Sequence, residues 1–380
     1  MGVQKVLVVG GGITGSVLSL ALAQRGVQVD LVEISPVWHG VGHGITVQGN
    51  ALAAFEKIGI LDDVLARGVP YDKLKMCKAD GTVIAEVPTP RTGGERLPAT
   101  MGALRSDLQS ILCDRIYAAG VKVRLGLTAT SLAQDAQRAY VEFSDGTTGT
   151  YDLVVGADGI RSKMRGMLGI DTLPQPTGMS IWRVVAERPA DTETHEVYYG
   201  GPRYKAGYSP ISKDSCYAYV LDEDGTIADF GGGEGGRPAW ELMYERSEGY
   251  TGKWGKLREA IGPESNVVHT RIEWLLVEDP WFRGRAIVIG DAAHACPPLI
   301  AQGAAMCAED ATVLAEMVTG DAPVEKVLPA FMKRRMPRVE IVVRNSMKLV
   351  GFEIDAGEST DRDVAVTMSE ALGFLASGEA

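Results

Sequence analysis

"KVLVVGGGITGSVLSLALAQRGVQVDLVE", Lys5 to Glu33, decides the fold of this chain. Lys5 to Gly10 is a short apolar run of the kind that makes a buried strand. Ile13 to Gly26 reads as a helix closed by a glycine, and Val27 to Glu33 as a second strand, so the stretch predicts a βαβ unit. The turn between the first strand and the helix is Gly10-Gly11-Gly12-Ile13-Thr14-Gly15, a G-x-G-x-x-G, and Glu33 closes the second strand 23 residues after Gly10. Glycines there permit a tight turn and let the backbone approach a pyrophosphate at the positive end of the helix. A carboxylate at Glu33 can accept hydrogens from ribose hydroxyls. In that setting the six residues read as a dinucleotide cradle. "GGGEGGRP" (Gly231 to Pro238) also spaces glycines, but no apolar strand precedes it, and it reads as a loop.

Outward from this unit, "RSDLQSILCDRIYAAG" (Arg105 to Gly120) offers Ser106 and Gln109 as a capping box. Leu108, Ile111, Leu112 and Ile116 follow at helical spacing, which predicts a helix from about Asp107 to Ala119. Strand-like runs return in "VKVRLG", "AYVEFSD" and "YDLVVGAD", with hairpin chemistry at "DGTTG". From Met179 to Ile272 the texture changes to strands such as "SIWRVVAE" and "SCYAYVLDED", broken by glycine- and proline-rich loops, with one helical stretch around "AWELMYERSEGY". "RAIVIGDAAH" restores the first texture, a helix from about Gln302 to Val318 follows, and Pro323 to Gly351 forms a last helical region before a tail without a motif.

A chain of 380 residues, 45% hydrophobic and 23% charged, has room for two or three compact units. A net charge of −11, with no Lys/Arg run interleaved with aromatics, excludes nucleic acid as a partner. Five cysteines without a C-x-x-C pair point to a reducing compartment rather than a disulfide framework. The N-terminus lacks the apolar core of a signal peptide, and no apolar run reaches the roughly 20 residues that span a bilayer, so the expectation is a cytoplasmic protein with no membrane span.

"DLVVGADGIRSKMR" (Asp152 to Arg165) and "RAIVIGDAAHACPP" (Arg285 to Pro298) resemble the second and third fingerprints of the single-component flavoprotein aromatic hydroxylases, the para-hydroxybenzoate hydroxylase-like group. With the Gly10 turn they stand in the family's order and cover roughly Val3 to Arg338. The resemblance implies an α/β fold: a discontinuous Rossmann-like FAD-binding domain over residues 1–72, 97–178 and 273–320. An inserted sheet-rich substrate domain would occupy 73–96 and 179–272, and a C-terminal helical region 321–380. It implies FAD at Gly10, Gly12, Ile13, Thr14, Gly15 and Glu33, with Arg105 on a phosphate or ribose. Asp158, with Gly159 and Arg165, would support the pyrophosphate region and the nicotinamide cofactor. Gly290 and Asp291 would meet the ribityl chain, and Pro297 and Pro298 the isoalloxazine. The backbone of Gln302, Gly303 and Ala304 would face the ring, and Gly44 and Ile45, in "GVGHGITVQGNAL", would pass it.

Two departures stand out. Many relatives have G-x-G-x-N where this chain has Ala301-Gln302-Gly303-Ala304-Ala305, and His43 sits where a small residue is usual. His43 reads either as a contact to flavin or substrate or as a loop histidine without a role.

The segment Val288 to Ala311 also gathers Asp291, His294, Cys296, Cys307, Glu309 and Asp310. A zinc site would need three or four converging ligands, which a Pro-constrained loop and the scattered faces of a helix do not supply. A thiol nucleophile would need a positioned base in an electropositive setting. The segment therefore reads as a flavin wall, with no metal.

On the resemblance, the activity is that of an FAD-dependent monooxygenase: NADH or NADPH reduces the flavin, and dioxygen gives a flavin hydroperoxide that hydroxylates a small aromatic or heteroaromatic ring. Alternation in Tyr204 to Asp224, two strands joined near Ser212 to Ser215, puts Lys205, Gly207 and Ser209 on one face with Tyr204, Ala206 and Tyr208 on the other, and Tyr217 and Tyr219 likewise share a face. Lys205 and Tyr217 are the substrate-side candidates by resemblance, with Pro297 at the ring and Arg183 as the next cation. A monomer or homodimer is expected. Two other readings stay open: a same-fold flavin reductase or dehydrogenase without oxygen insertion, and a flavin-binding redox or ligand-binding protein without turnover.

Overall fold

The computed structural model describes residues 2–38, 42–224, 236–355 and 361–378. The expected loop at Gly231 to Pro238 lies, as far as Gly235, outside them. Strands and helices are numbered here in chain order. The six-stranded sheet has β1 (Lys5–Val9) near its centre, in the order β18 (Phe282–Arg283), β19 (Ala286–Val288), β12 (Leu153–Gly156), β1, β2 (Gln28–Glu33), β8 (Lys122–Leu125). All neighbours from β19 to β8 are parallel; Val8, for example, pairs with Leu31 on one side and Val155 on the other. Helices cover both faces, so Val6, Leu7 and Val8 are fully buried. Each such side chain stabilises the fold by roughly 1.5–3 kcal/mol.

Helix α1 (Ile13–Ala23) follows β1 directly and is buried from Ile13 to Leu22, because α9 (Gly303–Val318) and α4 (Arg105–Ala118) pack on it. The consequence for function is positional. The turns after β1, β12 and β19 carry Gly10, Asp158 and Gly290, and all three lie at the carboxyl edge of adjacent parallel strands, where open α/β sheets bind ligands.

A seven-stranded sheet stands over that edge: β17 (Val268–Trp274), β13 (Gln175–Glu187), β16 (Ser215–Glu223), β15 (Lys205–Pro210), β14 (His195–Tyr199), β5 (Lys73–Lys78), β6 (Val83–Pro88). Helices α6 (Ala239–Arg246) and α7 (Gly252–Glu259) cover its far face through a separate core that includes Trp182, Tyr208 and Trp254. A small sheet of β3 (Gly44–Gln48), β7 (Thr100–Leu104) and β4 (Val69–Tyr71) joins the two large ones, with α2 (Gly49–Lys57) and α3 (Leu61–Leu65) beside it. The remaining sheet, β9 (Ala129–Gln134), β10 (Ala139–Phe143) and β11 (Thr148–Tyr151), contains the "DGTTG" hairpin, closed by Phe143 N donating to Thr147 O at 2.9 Å.

The helix at Arg105 begins two residues earlier than its sequence suggests, and the Ser106–Gln109 box does not form. Gln109 is drawn instead to the glycine turn, where Nε2 donates to Gly11 O (3.0 Å) and Ser16 Oγ (3.1 Å). Gln109 is itself buried, and leaving its amide donors unpaired would cost about 1–3 kcal/mol, so buried partners win over a helix cap. The motif-free tail forms α11 (Asp361–Ser377), which packs Leu372 and Leu375 against α10 (Val324–Ile354). The short helices α5 (Lys163–Met167) and α8 (Asp291–His294) follow the second and third glycine turns.

Candidate cofactor and active site

Strain and close contact show why the first turn needs glycine. Gly10 has φ +107°, and a Cβ there would lie 2.3 Å from Ala157 O; one at Gly15 would lie 1.9 Å from Gly10 O. The Gly11 carbonyl accepts from Trp38 Nε1 (2.7 Å), Ser16 Oγ (2.9 Å) and Gln109 Nε2, which pins the loop from behind. Gly12 is the opposite case: an added Cβ would meet nothing within 4 Å, so its open side faces the cavity. As N-cap of α1 it offers no side-chain cap, and no acidic residue occupies the first turn. Uncapped N–H groups at a helix N-terminus attract an anion.

The cavity measures about 460 Å³ and runs beneath these turns. At one end stand Glu33, Ile34 and Thr128, and at the other Arg183 and Tyr217. Of the expected cofactor residues, Gly10, Gly12, Ile13, Thr14, Glu33, Gly44, Ile45, Arg105, Asp158, Asp291, Pro298, Gly303 and Ala304 line it. Gly15, Gly290 and Gln302 do not, and neither does Pro297. Gly290 packs behind, where a Cβ would lie 2.4 Å from Thr14 Oγ1, so the first and third turns are in contact. Gln302 is fully buried, with Oε1 accepting from Asn50 Nδ2 at 3.0 Å.

Several carboxylates here hold the scaffold as well as lining the cavity. Glu33 Oε2 accepts from Gly11 N (2.7 Å) and Oε1 from Ser35 N (2.8 Å). Asp158 accepts from Ser162 Oγ (2.5 Å), Lys163 N (2.8 Å) and Met164 N (3.0 Å), which tightens the start of α5. Arg165 is turned inward, its guanidinium donating to the carbonyls of Thr172, Ala292 and Ile160, so it ties the second turn to the third. Asp291 is different: among the described residues its carboxylate accepts one hydrogen bond, from the Cys307 thiol at 3.6 Å, and it lines the cavity.

His294, Glu309 and Asp310 form an ionic network behind this wall. Asp310 accepts from Gly290 N (3.0 Å), His294 Nε2 (2.6 Å) and Arg335 Nε (2.7 Å). Glu309 meets Arg335 (2.6 Å), Arg338 (2.7 Å) and Asn50 Nδ2 (2.7 Å). Burial opposes ionisation of Asp310, yet His294 and Arg335 outweigh it and hold the carboxyl at about 2. The signal for this network was present in the sequence as Arg335-x-x-Arg338, at the spacing of one helix face, and as two acids inside an otherwise apolar helix.

Among the described residues, no group of three or more His, Cys, Asp and Glu side chains is placed to hold a metal. The two cysteines of the wall do not have the environment of thiolates. Burial first, then Asp291, pushes Cys296 up to about 12 and Cys307 well above its ordinary value.

At the far end, Tyr217 and Arg183 meet. Burial pushes the Tyr217 phenol up to about 12 against the pull of Arg183, and burial pulls Arg183 below its ordinary value. Arg183 donates to Thr270 Oγ1 at 2.5 Å, its Nε is buried without an acceptor, and no carboxylate among the described residues pairs with it. Lys205 is placed elsewhere. The antiparallel register puts Ser209 opposite Tyr217 and Lys205 opposite Leu221. Those positions are four residues apart along β16, about 13 Å at the usual rise. Lys205 Nζ pairs with Glu353 of α10, 5.8 Å from the Tyr199 ring centroid, and does not line the cavity. His43, Thr46, Cys296, Ala301 and Cys307 line it in addition to the expected residues.

A family model described as an FAD binding domain matches residues 4–214 and 264–346. The 2-heptyl-3-hydroxy-4(1H)-quinolone synthase of Mycobacteroides abscessus is 33% identical over 359 residues, 90% of each chain. The 3-amino-4-hydroxybenzoate 2-monooxygenase of Streptomyces cremeus is 28% identical over 94% of this chain and 90% of its own. The chain belongs to the FAD-dependent, aromatic-hydroxylase-type monooxygenases. The crystal structure of Klebsiella pneumoniae HpxO complexed with FAD and uric acid has a TM-score of 0.82 at 21% identity, covering 99% of this chain and 97% of that one, which shows a shared fold.

The residues present fit FAD. The uncapped start of α1 and the Arg105 guanidinium suit a pyrophosphate, the open Asp291 carboxylate suits hydroxyl donors, and α9 presents a second uncapped N-terminus at Gly303 and Ala304. No described helix is long and apolar enough to cross a membrane.

Proposed function

We propose that this flavoprotein uses NADH or NADPH and dioxygen to hydroxylate a small aromatic or heteroaromatic ring that binds as an anion. The observation that carries this reading is Arg183: a half-buried guanidinium, its Nε shielded and without an acceptor and with no carboxylate partner among the described residues, at the end of the flavin cavity beside the Tyr217 phenol. A cation drawn partly out of water is costly to leave unpaired, and a ring anion would compensate it. Bound FAD would supply the redox chemistry, taking a hydride from the nicotinamide cofactor and delivering one atom of dioxygen to the ring. The chain's own residues do the rest. Arg183 holds the anion and so keeps the ring electron-rich, Tyr217 bounds it on the sheet side, and Gly44 lets β3 pass close enough to Tyr217 to close the seam against water.

The test is NADH and NADPH consumption by the holoprotein against a panel of ring compounds, with hydrogen peroxide and oxygenated product both counted. An acidic ring should accelerate consumption and gain one oxygen. Fast consumption with no oxygenated product from any ring would favour the reductase reading. No consumption at all would leave a binding protein.

A further inference from the structure

His43 belongs to none of the three glycine turns. It precedes β3, and Gly44 beside it packs so tightly on the substrate sheet that an added Cβ would lie 2.2 Å from Tyr217 Cβ. The imidazole is thereby fixed at the seam between the two halves of the cavity, which it lines. Its Nδ1 lies 3.2 Å from Gly44 O. A carbonyl only accepts, so Nδ1 carries the proton, and Nε2 of the neutral ring is an acceptor with no partner among the described residues. The charged and titratable groups around it are Arg183 of β13, Arg105 of α4 and Tyr217 of β16, with Asp291 of α8 lining the same cavity. Burial, then Arg183, then more weakly Arg105, disfavour a protonated ring and push His43 down to about 4. The ring is therefore neutral at ordinary pH.

We propose that His43 is a specificity-determining residue: its Nε2 acceptor and the Arg183 guanidinium donor form one wall that selects a ring carrying both an anionic group and a separate O–H or N–H donor. The inference rests on the reading of Arg183 as the substrate's anion site and deepens it. A ring whose donor is methylated would still pair with Arg183, but it would bury Nε2 against carbon, which weakens binding by about tenfold or more.

The experiment uses the FAD-loaded protein and the three hydroxybenzoate isomers, each beside its methyl ether, with binding followed by the perturbation of flavin absorbance at pH 8. At least one isomer should bind about tenfold more tightly than its own ether. His43→Phe should erase that preference with FAD content unchanged, and His43→Gln, whose amide oxygen accepts, should restore part of it. The inference is overturned if no isomer outbinds its ether, if the preference survives in His43→Phe, or if His43→Phe loses FAD, which would put the imidazole on the flavin instead. Arg183→Met separates the two readings. If it weakens every benzoate while His43→Phe keeps the preference, only the role of His43 falls; if it weakens none, the anion site falls.

Discussion

Two sets of charge flank the same stretch of chain, one buried and one open to the cavity, and they are built in opposite ways. Behind the flavin wall, Glu309 and Asp310 are matched by Arg335, Arg338 and His294, and the network reaches Asn50 and the backbone N–H of Gly290. In the cavity, Arg183 and Arg105 have no carboxylate partner among the described residues. Matched charges hold a shape: removing one member leaves its partners buried and uncompensated. Unmatched charges are a standing affinity for something absent from the chain. The first set therefore belongs to stability and the second to binding, and each can be broken separately.

The largest effect is expected from Arg335→Leu. It takes from both carboxylates, at a position with no access to water, the guanidinium they share, leaving Glu309 with Arg338 and Asn50 and Asp310 with His294. Unfolding by urea should therefore show a loss of about 3–5 kcal/mol, and FAD should bind more weakly because the carboxylate that accepts from Gly290 N has lost one of its anchors. A loss below about 1 kcal/mol would mean that the network is not what holds the wall. The same network gives a pH dependence with a definite sign. The folded carboxyl of Asp310 lies at about 2, below the roughly 3.9 of an unfolded aspartate. Its contribution is complete above about pH 4 and lost as the pH falls toward 2, and Asp310→Asn should flatten that part of the acid unfolding curve.

Arg183→Met should do the reverse. Folding stability should hold within about 0.5 kcal/mol or rise, since the variant removes a half-buried cation with no carboxylate partner among the described residues, while affinity for a benzoate should fall by about 10- to 100-fold. Lys205→Met sharpens the contrast. Its ammonium is already paired with Glu353 and does not line the cavity, so benzoate affinity should change by less than about twofold with FAD still bound. A tenfold loss there would return Lys205 to the substrate site.

The two regions also differ in how far their roles could be read in advance. The cradle was legible because its constraint is on backbone: Gly10 needs positive φ and Gly15 needs empty space, and only one residue type meets either need. The substrate side was legible only as strands. Alternation put Lys205 and Tyr217 on identifiable faces, but which strand residue stands opposite Tyr217 depends on register, and register is set by pairing across the sheet. The ionic network was half legible, since spacing marks Arg335 and Arg338 as one face of a helix but does not say that Glu309 and Asp310 meet it. The capping box failed for a related reason: Ser106 and Gln109 have the right local chemistry, and a distant carbonyl, that of Gly11, claims the glutamine.

The smallest effect concerns the wall between the two charge sets. Ala301 sits at φ +55° and ψ +30°, the left-handed region, where an alanine's Cβ crowds its own backbone. It closes the short turn Pro298–Ile300 and leads into the N-terminus of α9, so its conformation sets where Gly303 and Ala304 face the cavity. The G-x-G-x-N pattern of the family that the chain resembles has glycine at this point, and glycine adopts the same angles without strain. Ala301→Gly should relieve about 1 kcal/mol of native strain and give back part of that gain through the greater freedom of glycine in the unfolded chain, for a net stabilisation of about 0.5 kcal/mol. Urea unfolding of the two proteins side by side resolves a difference of that size as a higher midpoint at unchanged slope. A lower midpoint in the glycine variant would mean that the turn depends on the stiffness of alanine, and that the geometry of the flavin wall in this protein differs in kind from that of a glycine-containing wall.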